Sequence, residues 1–154
     1  MRETLMNLLR LKDVQRQGWV DAGVSSPESV AAHSWGMAVL ALKLCPDELD
    51  LEQVLKLCLL HDLPEVVVGD LTPRDDRSTK AADEHAAMKA LAPEWLPVFE
   101  EYEAQATPEA VFARRLDKLD MALQAMLYEE RTDLDLETFI RSARKTLGDD
   151  PLLG

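Results

Sequence analysis

The stretch that most constrains this chain is residues 59–70, where an apolar helix runs into a His–Asp pair. One imidazole and three carboxylates follow the apolar segment at close spacing: His61, Asp62, Glu65 and Asp70. Polar groups buried at the end of such a segment cost several kcal/mol unless something pairs with them, and a metal ion is an economical partner for nitrogen and oxygen ligands. The fold must therefore bring further ligands to this stretch from elsewhere in the chain.

Helical periodicity of the apolar residues runs through most of the chain, and no alternating pattern of useful length for a strand accompanies it. Helices are predicted over about residues 1–16, 26–45, 51–61, 79–91, 93–104 and 135–147, with another that begins at Thr107 and a short turn at Glu65. The pattern predicts an all-α helical bundle of about six to seven helices. At 154 residues the chain fits one compact domain, with its core over about residues 5–130 and the C-terminal helix after it.

Capping residues and helix breakers predict where the helices begin and end. Ser26 is expected to cap the second helix, and Asp50 is expected to cap the third. Gly18 is expected to end the first helix, which leaves residues 19–24 as a loop. Residues 148–154 are expected to form a frayed tail.

The charge balance and the lack of a long apolar run argue against several classes of protein. Lys and Arg total 17 against 29 Asp and Glu, a net charge of -12, which disfavours nucleic-acid polymers and anionic membranes as partners. An anionic small molecule could still bind beside a locally placed arginine or a metal ion. No apolar run approaches the ~20 residues of a membrane span, and the N-terminus lacks the apolar region of a signal peptide. The two cysteines lack CxxC spacing and are expected to be buried thiols, so we expect a cytoplasmic protein.

Two of the three histidines accompany carboxylates in a pattern typical of metal centres. A single histidine on an apolar helix is usually a satisfied core residue. Here, however, His33 lies on the second predicted helix, His61 ends the third, and Asp117 lies on the helix that begins at Thr107. Three helices thus each bring a nitrogen or carboxylate ligand toward the interior, which is how helical bundles build metal sites.

Residues 27–34 and 61–70 resemble the HD-domain phosphohydrolases, and most closely their 5'-deoxynucleotidase branch. The first segment is Pro-Glu-Ser-Val-Ala-Ala-His-Ser, and the second contains His-Asp-x-x-Glu-x-x-x-x-Asp. A His–Asp pair alone is not specific, but this extended motif with an upstream His and a downstream Asp is far more so. The resemblance covers about residues 5–130. One departure is Ala32, where the branch commonly has Glu, and it concerns a partner of a metal ligand rather than a ligand.

The resemblance implies a role for each matching residue. The metal ligands would be His33, His61, Asp62 and Asp117, the catalytic residues Glu65 and Asp70, and the phosphate-binding residue Arg16. Trp19 follows Arg16 closely, and we expect it to bind the substrate by stacking on the base or covering the sugar. Simpler interpretations stay open for three residues: a solvated side chain for Arg16, a core anchor for Trp19, and a turn or cap for Asp70.

The ligand types also indicate which metal the site would hold. Two neutral imidazoles and two carboxylates around a divalent cation form a site with no net charge, which suits one Mn, Co, Fe, Ni or Zn ion better than Ca. Such an ion lowers the pKa of bound water and neutralises phosphate oxygens. Glu65 follows Asp62 by one helical turn and is therefore placed to act as general acid or base. His85 is the only histidine between His61 and Asp117, which indicates one metal ion rather than two.

The predicted function is that of an enzyme, a metal-dependent phosphohydrolase that releases phosphate from (deoxy)nucleoside 5'-monophosphates. Two alternatives stay open: hydrolysis of alarmones or nucleoside triphosphates by the same kind of site, and a metal or nucleotide sensor without turnover. A bundle with no metal at all would instead be an interaction module. The apolar helix faces also suggest a homodimer, with Phe139 and Ile140 of the last helix as one candidate surface.

Overall fold

The computed structural model describes residues 1–154, and the chain forms helices joined by short segments. The α-helices are α1 (Arg2–Leu9), α2 (Gln17–Asp21), α3 (Val30–Leu44), α4 (Leu51–Leu60), α5 (Glu65–Val68), α6 (Lys80–Leu91), α7 (Leu96–Ala104), α8 (Pro108–Arg131) and α9 (Glu137–Leu147). Short 3-10 helices cover Arg10–Asp13, Pro93–Trp95 and Pro151–Leu153. Seven of the α-helices have eight or more residues, and the only β pairing is an isolated antiparallel bridge between Gln15 and Ser29. The prediction of an all-α bundle of six to seven helices is confirmed.

Helices α3, α4 and α8 pack against one another around a common apolar cluster. The buried members of this cluster are Met37, Ala41, Val54, Leu57, Cys58, Ala110, Ala113 and Leu116. The alanines let the helix axes come close, because a methyl group occupies little of the space between two helices. The same three helices carry or lead into His33, His61 and Asp117, so the packing of this cluster fixes the relative positions of those side chains.

The longest helix, α8, has 24 residues and packs against α3, α4, α7 and α9. Charged residues occur along it, among them Arg114, Asp117 and Lys118. Neither α8 nor any other helix is long and apolar enough to cross a membrane.

Side-chain caps begin two helices where the sequence predicts them. Asp50 Oδ1 accepts a hydrogen bond from the Gln53 amide (3.2 Å) at the start of α4. Thr107 Oγ1 accepts one from the Ala110 amide (3.1 Å) at the start of α8. Each bond satisfies an amide that the first turn of a helix leaves unpaired. The predicted cap at Asp50 and the predicted start at Thr107 are confirmed.

Helix α3 begins later than predicted. Its cap is Ser29 and not Ser26, since the Ser29 hydroxyl accepts a hydrogen bond from the third amide of the helix (3.1 Å). The Val30 amide donates to the Val14 carbonyl (2.7 Å), because the residues before α3 pair in extended form with the segment before α2. This pairing places Arg16 alongside the start of α3.

Helix α2 covers residues 17–21 and so includes the first half of the loop that the sequence predicts over residues 19–24. The indole of Trp19 is buried and packs on the rings of Tyr128, with centroids 5.2 Å apart, and Phe139, with centroids 4.4 Å apart. Asp70 Oδ2 accepts a hydrogen bond from the first amide of α2 (2.8 Å) and so caps this helix from a distant part of the chain. Burial of the indole and the distant cap together stabilise a helix that its own sequence, with an internal glycine, does not favour.

The C-terminal part of the chain packs onto α8 and leaves neither a free apolar face nor a frayed tail. Ile140 and Leu147 on α9 are buried against α8, and Leu153 in the last 3-10 helix is buried as well. Asp150 Oδ1 caps that 3-10 helix through the Leu152 amide (3.0 Å). The predicted frayed tail is wrong, and so is the predicted dimer surface at Ile140, because the apolar face of α9 is used within the chain.

Candidate metal centre and active site

Three helices bring two histidines and two aspartates together beyond the end of α4. His33 lies in the first turn of α3, His61 and Asp62 directly follow α4, and Asp117 lies in α8. Both imidazoles are buried, with 0% and 5% of their residue surface exposed. The two aspartate side chains are exposed by less than one fifth.

The ring nitrogens and the carboxylate oxygens face a shared centre. His33 Nε2 lies 2.9 Å from Asp117 Oδ1 and 3.8 Å from Asp62 Oδ2. His61 Nε2 lies 3.0 Å from Asp62 Oδ2 and 3.8 Å from Asp117 Oδ1. Donor atoms bound at about 2.1 Å to one ion lie roughly 3 to 4 Å from each other. The spacing of the four side chains therefore fits a single ion.

Neither histidine Nε2 has a hydrogen-bond partner, although both atoms are buried. The second nitrogen of each ring is engaged: His61 Nδ1 lies 2.8 Å from the Cys58 carbonyl oxygen, and His33 Nδ1 lies 2.6 Å from Asp120 Oδ2. Because those oxygens accept, each Nδ1 carries a proton, and when the ring loses its second proton, the lone pair of Nε2 faces the centre. Two lone pairs without partners beside two carboxylates fit a divalent cation.

The buried charges shift the pKa values of these groups. Burial alone would lower the pKa of His61, but the carboxylates of Asp62 and Asp117 raise it well above its ordinary value. Burial alone would raise the pKa of Asp62, but the two imidazoles lower it to about 2. Without a metal ion, imidazole and carboxylate thus hold each other charged. A cation at this centre has to displace imidazole protons, so its binding is coupled to proton release.

Glu65 lies one turn beyond Asp62, at the start of α5, and is buried. Its Oε2 has no hydrogen-bond partner. Burial, together with repulsion from Asp62 and Asp70, raises the pKa of its carboxyl to about 10. A buried carboxyl that keeps its proton at neutral pH is typical of an acid–base group in an active site.

Arg16 immediately precedes α2, and its side chain is only 16% exposed. Burial alone would lower the pKa of Arg16, but the carboxylates of Asp117, Asp62 and Asp70 raise it. Arg16 is thus a largely buried cation beside the carboxylates of the centre, and the interpretation as a solvated surface side chain is wrong. Asp70 caps α2, in agreement with the cap interpretation, while its side chain also lines the cavity beside the centre.

Trp19 is a core residue that also reaches the cavity. Its Nε1 donates a hydrogen bond to Glu28 Oε1 (3.1 Å), and the same oxygen lies 3.9 Å from Arg16 Nε. Glu28 therefore ties the indole to the buried guanidinium. The core interpretation accounts for the burial of Trp19, and only the part of the ring that lines the cavity is left for the predicted contact with a base or sugar.

A cavity of about 510 Å³ opens beside the centre, which is within the size range of small-molecule sites. Its walls come from α2 and the residue before it, the ends of α4 and α5, the loop after α5, and helices α8 and α9. The lining residues are Arg16, Gly18, Trp19, Asp62, Glu65, Asp70, Leu71, Thr72, Pro73, Arg77, Asp117, Lys118, Met121, Thr138, Phe139 and Ser142.

Sequence reasoning missed several residues of this cavity. Lys118 Nζ lies 3.1 Å from Asp117 Oδ2, and its place beside a predicted ligand was a usable signal. Thr138 and Phe139 reach the cavity from α9. No local pattern indicates them, because their place depends on how α9 packs against the rest of the bundle. Asp120, the partner of His33 Nδ1, was also missed, although it follows Asp117 by one turn of α8.

The third histidine lies outside this cluster. His85 Nε2 is 2.9 Å from Glu100 Oε1, and both side chains are about half exposed. His85 is therefore a surface residue, and only two histidines lie at the centre.

Comparison with known proteins shows relatives over most of the chain. A family profile of the HD domain matches residues 8–150. The 5'-deoxynucleotidase HDDC2 of Homo sapiens is 40% identical over 141 residues, which cover 82% of this chain and 69% of that protein. The Bos taurus protein of the same name is 42% identical, over 79% of this chain and 64% of that protein. The 5'-deoxynucleotidase hdd1 of Schizosaccharomyces pombe is 35% identical, over 80% of this chain and 70% of that protein. The chain thus spans about two thirds of the length of these curated relatives.

Solved structures share the fold over nearly the whole chain. A Pyrococcus horikoshii protein matches with a TM-score of 0.84 at 34% identity, over 97% of this chain and 95% of its own. A conserved hypothetical protein from Pyrococcus furiosus matches with a TM-score of 0.80 at 33% identity, over 96% of this chain and 94% of its own. The arrangement of helices around the centre therefore recurs in other proteins.

Replacing Glu65 with Gln should stabilise the metal-free protein, and more so as the pH rises. Between the ordinary pKa of 4.5 and the folded-state pKa of about 10, the folded chain keeps a proton that the unfolded chain has lost. The stability of the wild type then falls by up to about 1.4 kcal/mol per pH unit from this group alone. The neutral amide removes that dependence.

Urea denaturation of metal-stripped protein at a series of pH values measures this effect. The difference in the free energy of unfolding between Glu65→Gln and wild type should be small near pH 4.5 and widen above it. Glu48→Gln, at an exposed acid, is the matched control and should show no such widening. A difference for Glu65→Gln that stays constant with pH would contradict the assigned environment.

Proposed function

The chain belongs to the HD-domain family, and from that premise we propose that it is a metal-dependent phosphohydrolase that removes phosphate from (deoxy)nucleoside 5'-monophosphates. The curated relatives are named 5'-deoxynucleotidases, and they match this chain at 35–42% identity. Because the chain spans only about two thirds of their length, the residues of the site itself have to carry the proposal.

The main support for this proposal is a pair of buried imidazole nitrogens that have no hydrogen-bond partner. Each nitrogen lies about 3 Å from a carboxylate oxygen, and the carboxylates line a cavity that also contains a buried arginine. We assign the metal-binding role to His33, His61, Asp62 and Asp117. This donor set favours one divalent transition metal ion, of Mn, Co, Fe, Ni or Zn, over Ca. When bound, such an ion supplies a Lewis acid that activates water and neutralises charge on the phosphate.

The residues around this centre bind the phosphate, transfer protons and orient the water. Arg16 binds the phosphate group, since a guanidinium forms strong paired contacts with phosphate oxygens. In the reaction the phosphorus–O5' bond breaks and a bond from phosphorus to a water oxygen forms. One proton leaves the water and one joins O5', and Glu65 exchanges protons with these oxygens as general acid or base. Asp70 orients the water from the loop after α5 and holds the start of α2, where Arg16 lies.

The nucleoside fits the cavity beside the centre. Phe139, Met121 and Trp19 supply apolar surface there, and Thr138 and Ser142 add two hydroxyls one turn apart on α9. Aromatic and apolar side chains with a few hydrogen-bonding groups are typical of small-molecule sites. The cations of the cavity suit an anionic substrate, although the chain as a whole has a net charge of -12.

Phosphate release from a nucleotide panel tests the proposed function. Metal-free protein supplied with Mn or Co should release phosphate from deoxynucleoside 5'-monophosphates faster than from 3'-monophosphates, nucleoside triphosphates or alarmones. Metal binding without release from any 5'-monophosphate would contradict the proposal and favour a sensor. Release from triphosphates or alarmones alone would instead favour the other hydrolase activities.

Variants in the same assay separate binding from chemistry. Arg16→Ala should raise KM about tenfold or more, because a charge-assisted contact contributes about 1.5–3 kcal/mol. Arg10→Ala removes an exposed arginine nearby and should leave KM unchanged. Glu65→Gln should lower kcat by roughly 10²–10⁴-fold while the metal stays bound. Equal effects of the two arginine variants would argue against a phosphate contact at Arg16.

We also propose a homodimer, with α3 in place of α9 as its contact surface, in the cytoplasm. An apolar row of exposed side chains, Trp35, Val39 and Leu42, follows α3 at spacings of four and three residues. The two free cysteines support a reducing compartment.

Sedimentation equilibrium tests the dimer. The wild type should sediment as a dimer, and Trp35→Glu should sediment as a monomer, because a buried charge without a partner opposes association. Lys89→Glu, at an exposed position on α6, should leave the dimer intact. A monomeric wild type at micromolar concentration would contradict the proposal.

A further inference from the structure

Asp120 contacts the side of His33 that faces away from the metal centre. Its Oδ2 lies 2.6 Å from His33 Nδ1, and both side chains are largely or fully buried. A separation this short is typical of a hydrogen bond strengthened by charge. Asp117 and Asp120 are three residues apart on α8 and therefore lie on the same face of the helix. Together they contact both nitrogens of one imidazole ring.

The contact with Asp120 decides which nitrogen of His33 is free. A carboxylate oxygen accepts, so Nδ1 donates and the neutral ring keeps its lone pair on Nε2. That lone pair points into the centre, where Nε2 has no hydrogen-bond partner. Without Asp120, either nitrogen could carry the proton, and the ring would lose the bond that holds its orientation.

Gly36 makes the space that Asp120 occupies. It lies one turn after His33 in α3, and a Cβ added there would overlap Asp120 Oδ1 and lie 3.1 Å from its Cγ. The backbone does not require glycine at this position, since Gly36 is not among the residues with positive φ. A glycine inside a helix costs about 1 kcal/mol relative to alanine. The close approach of the carboxylate accounts for a residue that the helix itself disfavours.

A second metal site on the same side of His33 is a rival interpretation. One atom from each of Glu28, His33 and Asp120 lies within 4.8 Å of the other two. A ring nitrogen that carries a proton cannot bind a metal ion, however, and Glu28 Oε1 already accepts a hydrogen bond from Trp19 Nε1. The hydrogen-bonded arrangement is therefore the better account of this cluster.

The residue before His33 does not supply its partner. Ala32 is exposed, and neighbouring residues on a helix point in directions about 100° apart. A longer acidic side chain at this position would start from the solvent side of α3. The carboxylate at His33 Nδ1 comes instead from α8.

We propose that Asp120 is the positioning residue for His33 and that Gly36 is present to admit it. This proposal rests on the metal centre proposed above, because it concerns how one ligand of that centre is held. Asp120 acts through His33 and does not line the cavity. Loss of a partner of this kind lowers metal affinity by roughly 10–100-fold.

Nitrogen-15 spectra of the histidine rings test the hydrogen bond without any metal. In metal-free protein at alkaline pH, where the rings are neutral, His33 should be protonated at Nδ1. Asp120→Ala should move the proton toward Nε2, because the carboxylates of Asp117 and Asp62 lie 2.9 and 3.8 Å from that nitrogen. A wild-type His33 protonated at Nε2, or an unchanged spectrum in the variant, would overturn the proposal.

A double-mutant cycle on metal affinity tests the part played by Gly36. In competition with a chelator for Zn, Asp120→Ala and Gly36→Ala should each bind roughly 10–100-fold more weakly than wild type. The double variant should bind no more weakly than Asp120→Ala, because the added methyl group meets no carboxylate there. Glu130→Ala, at an exposed acid on α8, is the matched control and should bind as wild type does.

Other outcomes of the cycle overturn the proposal. Losses that add in the double variant would mean that Gly36 and Asp120 act independently, and equal affinities of Asp120→Ala and Glu130→Ala would remove the role of Asp120. If Asp120→Ala does not fold, as judged by circular dichroism, Asp120→Ser, which also removes the atoms that the added methyl group would meet, replaces it in the cycle. If the wild type binds no Zn, the proposed metal centre fails, while the ring spectra still decide whether Asp120 holds His33.

Discussion

The interaction on which the rest of the structure depends is the pairing of buried imidazoles with buried carboxylates between α3, α4 and α8. An isolated charge in such a place costs several kcal/mol, so each carboxylate has to lie beside an imidazole or a cation. The short distances from His33 to Asp117 and from His61 to Asp62 meet this requirement. Small residues on α8 and the apolar cluster around them let the three helices come close enough for it.

The same cluster contains buried polar atoms that have no hydrogen-bond partner, and these atoms are the ones available for chemistry. The Nε2 atoms of His33 and His61 have neighbours but no hydrogen-bond partners, and the Oε2 atom of Glu65 has none either. Burying a carboxyl that is kept protonated lowers stability near neutral pH, which proteins tolerate mainly at functional sites. Arg16 supplies a positive charge next to these groups in a chain that is otherwise acidic. A site of this kind favours a cation and a phosphate together.

The main helices and the proposed metal ligands could be predicted because their signals are local. The apolar run that ends in His61 and Asp62 predicts a buried helix whatever the tertiary fold is. A cap such as Asp50 likewise predicts a helix start from its neighbours alone. The predicted start of α3 was wrong because Ser26 and Ser29 are both good caps. Pairing of the residues before α3 with the segment around Gln15 selects Ser29. The same reason applies to α2, whose burial and cap come from distant residues.

The residues that hold the metal ligands in place and complete the cavity could not be predicted from the sequence, because their roles depend on the relative positions of the helices. Asp117 and Asp120 are the same type of residue on the same face of α8, and only their placement around His33 tells which nitrogen each one contacts. Gly36 in a sequence looks like a weak point of a helix, and its purpose becomes visible only when Asp120 is beside it. The cavity wall from α9, including Phe139, depends in the same way on tertiary packing.

Anomalous diffraction from crystals soaked in Mn or Zn shows whether the four side chains bind one ion. We predict one ion, within ~2.0–2.3 Å of His33 Nε2, His61 Nε2 and one oxygen each of Asp62 and Asp117. An ion bound elsewhere, or an ion at this centre without Asp117 in its coordination shell, would contradict this prediction.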